Sequence, residues 1–137
     1  MANKQILIIE DDSGLRFVLE RFLSQFFKVT SKSDGKQALT WMVDNRPDLV
    51  ITDLDMPVLN GLQVLRNIRS SLRYKDLKII VISGYDDDEF KKTCQSYDIL
   101  DYYVKPFNPV ELVLKIYDQF NISYMGNKKI EKLMQMI

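Results

Sequence analysis

An open parallel α/β sheet of five strands, with helices on both faces, is the fold class this sequence predicts. Three observations predict it. Short apolar runs of strand length recur along the chain. The clearest of them are apolar without alternation, as expected of strands covered on both faces. Each is followed by a stretch of helical periodicity, the pattern of repeated βα units. At 137 residues the chain suits one domain with a proper core. Right-handed crossovers then favour the flavodoxin-like strand order 2-1-3-4-5.

The elements follow in order. Residues 5–9, "QILII", form the first strand and run into "EDD". In "SGLRFVLERFLSQF", Leu15, Val18, Leu19, Phe22 and Phe26 fall at helical spacing, with Asp12 or Ser13 placed to cap the helix. "KVTSKS" is a shorter, weaker strand. Ala38, Leu39, Met42 and Val43 mark a second helix over 34–43, stopped by "NRPD". "LVIT" at 49–52 is the third strand, and Gly61 opens a helix with Leu62, Leu65 and Ile68 on one face. "KIIVIS" at 78–83 is the fourth strand. The acidic run 86–89 begins the next helix, where carboxylates suit the positive end of the dipole better than they suit a metal. "DYYV" at 101–104 is the fifth strand, and Val110, Leu112, Val113, Ile116, Tyr117 and Phe120 build a helix over 109–120.

Composition excludes several classes of function. Nineteen basic and nineteen acidic residues cancel, so no basic excess is left to neutralise nucleic-acid phosphates. The single Cys94 permits no intramolecular disulfide and reads as a small apolar helix residue. There is no histidine, which removes Ser-His-Asp and Cys-His nucleophile systems and most zinc sites. The N-terminal apolar run is too short for a signal peptide, and no segment approaches the roughly 20 apolar residues of a membrane span. A cytoplasmic protein without membrane partners is the expectation.

The strand ends hold the chemistry. The first strand ends in Glu10, Asp11 and Asp12, the third in Asp53 with Asp55 beyond it, the fourth in Ser83, and the fifth in Lys105 before Pro106. In the predicted order the first and third strands are neighbours, and ligands bind outside the carboxyl ends at that switch point. Carboxylates crowded there repel one another, so at least one pKa should rise unless a cation is bound. Mg²⁺ fits, because it binds through one or two carboxylates, retained waters and phosphate oxygens. A lysine and a hydroxyl across the crevice match the oxygens of a phosphoryl group, and a carboxylate is a known nucleophile for phosphoryl transfer. Taken one at a time these features have plain explanations: acids before a helix are often caps, and Lys-Pro is usually a turn. Four strand ends of one crevice make coincidence a poor account.

The motifs "ILIIEDD", "ITDLDMPVLNG", "VISG" and "DYYVKPF" together resemble the receiver domain of bacterial two-component response regulators, of the chemotaxis-receiver kind. The similarity covers about residues 4–120, leaving 121–137 as a tail or the start of a linker to an output domain. The resemblance implies that Asp53 is the phosphoacceptor. It implies that Glu10, Asp11 and Asp53 hold Mg²⁺ with the backbone carbonyl of Asp55, and that Ser83 and Lys105 meet phosphoryl oxygens. Tyr102 matches the switch aromatic that moves with the hydroxyl of Ser83. The Lys105–Pro106 bond is expected to be cis, and Asp12 to be a cap rather than a ligand. The partners implied are a sensor histidine kinase or a histidine phosphotransfer protein upstream and an effector protein or domain downstream. A receiver takes its phosphoryl group from a histidine on another protein, which gives the absence of histidine here a positive meaning. Such a domain turns over no separate substrate and is not counted an enzyme.

The chain departs from the family pattern twice. Glu10-Asp11 replaces the commoner Asp-Asp, and Asp98-Ile99 stands where many members have Gly-Ala; Asp tolerates the left-handed conformation that such a turn requires. The alternative from another class is a haloacid-dehalogenase-type phosphatase, whose Asp-x-Asp motif "ITDLDM" matches on its face. Against it, the nucleophile strand is not first, no acidic pair follows Lys105, and no cap domain fits. A receiver-like module that no longer takes phosphate is disfavoured by the intact Asp53, Ser83 and Lys105. Near the end, Ile130, Leu133, Met134 and Ile137 form one apolar stripe of a short helix. It is expected either to pack back on the domain or to seek a partner, as in a homodimer.

Overall fold

The apolar run becomes β1 (Gln5–Ile9), fully buried from Ile6 onward. With β2 (Lys28–Lys32), β3 (Leu49–Asp53), β4 (Lys78–Ser83) and β5 (Asp101–Val104) it forms one parallel sheet in the order β2-β1-β3-β4-β5, as predicted. Between and after the strands lie α1 (Ser13–Leu23), α2 (Gly35–Asp44), α3 (Gly61–Ser70), α4 (Asp88–Gln95), α5 (Pro109–Gln119) and α6 (Lys128–Met134). The structure is a computed structural model that describes residues 3–55 and 61–135. The stretch 56–60 of the quoted motif and Ile137 of the tail stripe lie outside the described residues. The chain falls into two compact units, Met1–Pro106 and Phe107–Ile137. The first holds the whole sheet with α1–α4; the second holds α5 and α6.

Burial explains why the central strands lack alternation. Leu7, Ile9, Val50, Ile79 and Val81 join Ala38, Met42, Val64, Leu65, Ile68 and Cys94 from α2, α3 and α4 in one apolar cluster. Strand side chains alternate between faces, so Ile6, Ile8, Leu49 and Ile51, equally buried, point the other way. On that side α1 packs along β1 and β2 and buries Leu19 and Leu23. Cys94 is a core residue, and burial pushes its thiol up to about 11, which leaves it unreactive.

The helix starts obey local chemistry. Asp12, not Ser13, caps α1, its Oδ1 accepting from the N–H groups of Gly14 (2.9 Å) and Leu15 (3.4 Å). Asp34 caps α2, and Asp87 caps α4 with Asp88 and Glu89 in the first turn, so the acidic run 86–89 serves the helix as expected. Asn108 caps α5 ahead of Pro109. Two ends differ from expectation. The first helix stops at Leu23, because Gln25 and Phe26 tighten into short turns on Phe22 and Leu23. The third strand runs on through Asp53, which pairs with Ile82 of β4. In the second unit, Asn127 caps α6 and its amide donates to the Tyr117 hydroxyl at 3.4 Å. Ile130 is fully buried and Leu133 half-buried, while Met134 is exposed.

Asp98 takes φ 58°, a left-handed turn that an aspartate tolerates, and the Lys105–Pro106 bond is cis, both as expected. Arg69 clamps this region. Its guanidinium donates to the carbonyls of Tyr97 (2.7 Å), Leu77 (2.8 Å), Lys75 (3.0 Å) and Asp98 (3.1 Å), tying α3 to the approaches of both β4 and β5. Among the described residues no helix is long and apolar enough to cross a membrane.

Gly61 opens α3 against the backbone of Leu54: a Cβ there would sit 2.3 Å from the Leu54 Cα. Overpacking against backbone cannot be relieved by a rotamer change. Gly61→Ala is therefore expected to lower the unfolding free energy by roughly 1–3 kcal/mol in urea titrations. Gly84→Ala, with nothing within 4 Å of the new Cβ, is expected to stay within about 0.5 kcal/mol of the parent. Equal midpoints for the two variants would contradict the close approach.

Candidate functional site

Sheet register assembles the site. Ile9 lies opposite Thr52, so the next residues, Glu10 and Asp53, stand side by side on adjacent strands. Asp53 lies opposite Ile82, which puts Ser83 one step beyond on β4, and Ser83 lies opposite Val104, with Lys105 one step beyond on β5. The Lys105 N–H donates to the Ser83 carbonyl at 2.8 Å and holds that edge together. All four residues thus lie along the carboxyl edge of the sheet, and Glu10 and Asp53 flank the point where the strand order switches direction.

The electrostatics are unusual for so small a crevice. Glu10 and Ser83 are fully buried and Asp53 is 2% exposed. The Lys105 ammonium reaches back across β4 to lie 2.8 Å from Asp53 Oδ2 and 2.9 Å from Glu10 Oε1. Asp53 Oδ1 accepts from the Asp55 N–H (3.0 Å), and Glu10 Oε2 from the Asp12 N–H (3.1 Å). One lysine cannot neutralise two buried carboxylates. Burial pushes the Glu10 carboxyl from its ordinary 4.5 up to about 7; Lys105 and the Asp12 N–H oppose the rise, and the charge of Asp53 adds to it. Burial pulls the Lys105 ammonium down, but its bonds to Asp53 and Glu10 outweigh that and leave it raised.

Glu10, Asp11 and Asp53 each offer an oxygen, and these atoms lie within 4.8 Å of one another. Glu10 Oε1, although ion-paired, completes no well-directed hydrogen bond. An all-oxygen donor set with excess negative charge and an under-satisfied buried oxygen fits a hard divalent cation. The Asp55 carboxylate is not part of the trio and is exposed, and its backbone N–H is bonded to Asp53 Oδ1.

Tyr102 is joined to the same edge. Its hydroxyl donates to the Tyr85 carbonyl (2.7 Å), while the Tyr85 N–H donates to Ser83 Oγ (3.1 Å). The Phe90 ring of α4 packs on Tyr85 at 5.3 Å and edge-on to Tyr102 at 6.4 Å. Lys91, paired with Asp86, lies over the Tyr102 ring at 5.7 Å. The structure thus links the strand-end hydroxyl, the aromatic and the β4–α4 loop. Arg16 was not foreseen: it donates to the carbonyls of Glu10 (2.8 Å) and Asp11 (3.3 Å). No sequence signal marks such a residue, because its acceptors are backbone atoms.

A family model described as the response regulator receiver domain matches residues 6–117. The chain belongs to this family. The receiver is 31% identical over 123 residues to the sensor histidine kinase TmoS of Ectopseudomonas mendocina, covering 90% of this chain and 13% of that one. It is 37% identical over 117 residues to a probable transcriptional regulator, ycf27, of Guillardia theta, covering 84% and 44%. The chain spans less than half the length of these curated relatives. Among solved structures, a response regulator receiver protein from Pseudomonas putida superposes with a TM-score of 0.80 at 28% identity, covering 86% of this chain and 98% of that one. The receiver domain of a sensor histidine kinase from Pseudomonas aeruginosa, solved with a magnesium ion coordinated in its active site cleft, superposes with a TM-score of 0.76 at 30% identity (85% and 97%). The phosphatase alternative finds no support in these relationships.

A raised Glu10 has a thermodynamic consequence. Between pH 4.5 and about 7 the folded chain binds more protons at Glu10 than the unfolded chain does. Its stabilising contribution is therefore complete below 4.5 and lost as pH rises through about 7. In metal-free buffer, the stability difference between the parent and Glu10→Gln should shift against the parent across this window. At about 1.4 kcal/mol per pH unit, the rise from 4.5 to about 7 makes the full shift about 3.5 kcal/mol at most. Parallel stability–pH curves for the two proteins would refute it.

Proposed function

We propose that this receiver accepts a phosphoryl group from a histidine of a partner protein onto Asp53, in a Mg²⁺-dependent step, and later loses it by hydrolysis. The observation that supports this most directly is the Lys105 ammonium lying beside two buried carboxylates of adjacent strands. That cation is poised to follow the charge from a carboxylate to a phosphoryl group. Glu10, Asp11, Asp53 and the Asp55 backbone carbonyl would hold Mg²⁺, with Asp12 left as the cap of α1. When bound, the metal supplies positive charge against the phosphoryl oxygens.

The residues then act as follows. An Asp53 carboxylate oxygen attacks phosphorus, and the bond from phosphorus to the donor's imidazole nitrogen breaks, its electron pair staying on that nitrogen. An acyl phosphate results. Forming this mixed anhydride removes the negative charge of the Asp53 carboxylate, so Lys105 exchanges the carboxylate for a phosphoryl oxygen. Ser83 already accepts from Tyr85 and turns its own proton toward a second phosphoryl oxygen. Because Tyr85 also holds the Tyr102 hydroxyl, movement of Ser83 re-sets that aromatic and the β4–α4 loop. Water attack on phosphorus later breaks the P–O bond and returns the carboxylate and inorganic phosphate.

The donor would be a sensor histidine kinase or a histidine phosphotransfer protein, and the switched surface would be read by an effector protein or domain. Residues 1–120 would act as the receiver and 121–137 as its tail or linker. The domain turns over no separate substrate, so acetyl phosphate should label it stoichiometrically, and para-nitrophenyl phosphate should not be hydrolysed over many cycles.

Labelling by acetyl phosphate is expected to require Mg²⁺ and to vanish in Asp53→Asn. Undiminished labelling of that variant would sink the assignment. Tyr85 stands two residues past Ser83, where its side chain would flank the path of an attacking water. Tyr85→Ala is expected to change the lifetime of the phosphorylated form severalfold, followed by loss of label after removal of the donor. An unchanged half-life would reject this role.

A further inference from the structure

The backbone of the β1–α1 junction is held from several directions. The Glu10 N–H donates to the Lys32 carbonyl of β2 at 3.0 Å, and Glu10 Oε2 accepts from the Asp12 N–H. Asp12 in turn caps α1, and its carbonyl accepts from the Arg16 N–H at 2.9 Å. From the second turn of α1, the half-buried Arg16 side chain doubles back. Its Nη1 donates to the Glu10 carbonyl at 2.8 Å and to the Asp11 carbonyl at 3.3 Å. These carbonyls belong to the two residues whose carboxylates stand in the acidic trio.

We infer that Arg16 is a positioning residue for metal binding: its guanidinium fixes the Glu10–Asp11 backbone so that both carboxylates converge on Asp53. This inference rests on the Mg²⁺ site proposed above. A guanidinium suits the task because it is always charged and presents several donors in a rigid fork. Unlike a side-chain partner, it grips the main chain and occupies none of the trio's carboxylate oxygens itself. Two effects of Arg16 on a bound cation oppose each other. As a positive charge near the crevice it repels Mg²⁺; as a clamp it pre-organises the ligands. The sign of the change on its removal therefore separates the roles, and a merely structural residue would alter neither sign nor affinity once folding is matched.

The test is a MgCl₂ titration of the full chain followed by backbone amide shifts, with urea unfolding as a parallel measure. If Arg16 is a clamp, Arg16→Ala weakens Mg²⁺ binding about tenfold, the low end of what losing an outer partner of a metal ligand costs. Arg16→Lys keeps the charge without the fork and should fall between the two. Arg21→Ala, on the same helix with its guanidinium over the Phe17 ring, should bind as the parent does. Parent-like or tighter binding by Arg16→Ala overturns the inference. If that variant does not fold, Arg16→Lys decides, and parent-like binding by it overturns the inference equally. An absent response in the parent, or one that Asp11→Asn leaves intact, brings down the metal site itself and this role with it. A parent response that Asp11→Asn abolishes and Arg16→Ala does not change removes the Arg16 role alone.

Discussion

The sharing of one ammonium between two buried carboxylates is the interaction around which the rest of this receiver is arranged. Lys105 sits within 3 Å of both Asp53 and Glu10, and neither acid has solvent to fall back on. A buried pair of this kind adds little net stability, because desolvation consumes most of the Coulombic gain. Its effect is different: it leaves the crevice one positive charge short. A site left with excess negative charge and oxygen donors is primed for a divalent cation and, through it, for a phosphoryl group.

The sheet makes this arrangement possible at little local strain. Parallel strands in register bring successive carboxyl ends to one edge, so four residues far apart in sequence meet without any loop having to reach across. The same edge carries the coupling outward. Ser83 accepts from Tyr85, and Tyr85 accepts from Tyr102, so one short run of hydrogen bonds joins the strand end to the aromatic residues around α4. These contacts are few and partly exposed, as in the less stable parts of a fold.

Two arginines show how the loops are restrained. Arg69 gathers carbonyls from the turns entering β4 and β5, and Arg16 gathers those of the acidic junction after β1. In both cases a permanently charged fork satisfies main-chain oxygens that the sheet and helices leave over. Asp98 illustrates the same economy of means. A left-handed turn usually given to glycine is kept by an aspartate whose carbonyl is one of those held by Arg69.

The strands, the helices, their order in the sheet and the distinctive side chains at the strand ends were all legible in the letters alone. Each depends on local or periodic information: uninterrupted apolar runs, 3.6-residue spacing, caps such as Asp12 and Asp87, and distinctive residues at strand ends. The motifs were specific enough in combination to point to the family. How those residues act on one another emerged with the fold. That Lys105 bridges Glu10 as well as Asp53, and that Glu10 rather than another acid is driven to about 7, follows from burial and distance. No pattern of letters encodes either quantity. Arg16, Arg69 and the halting of α1 at Leu23 were hidden for a related reason. Their partners are backbone groups, which every residue carries and which become distinct only when the fold sets them in place.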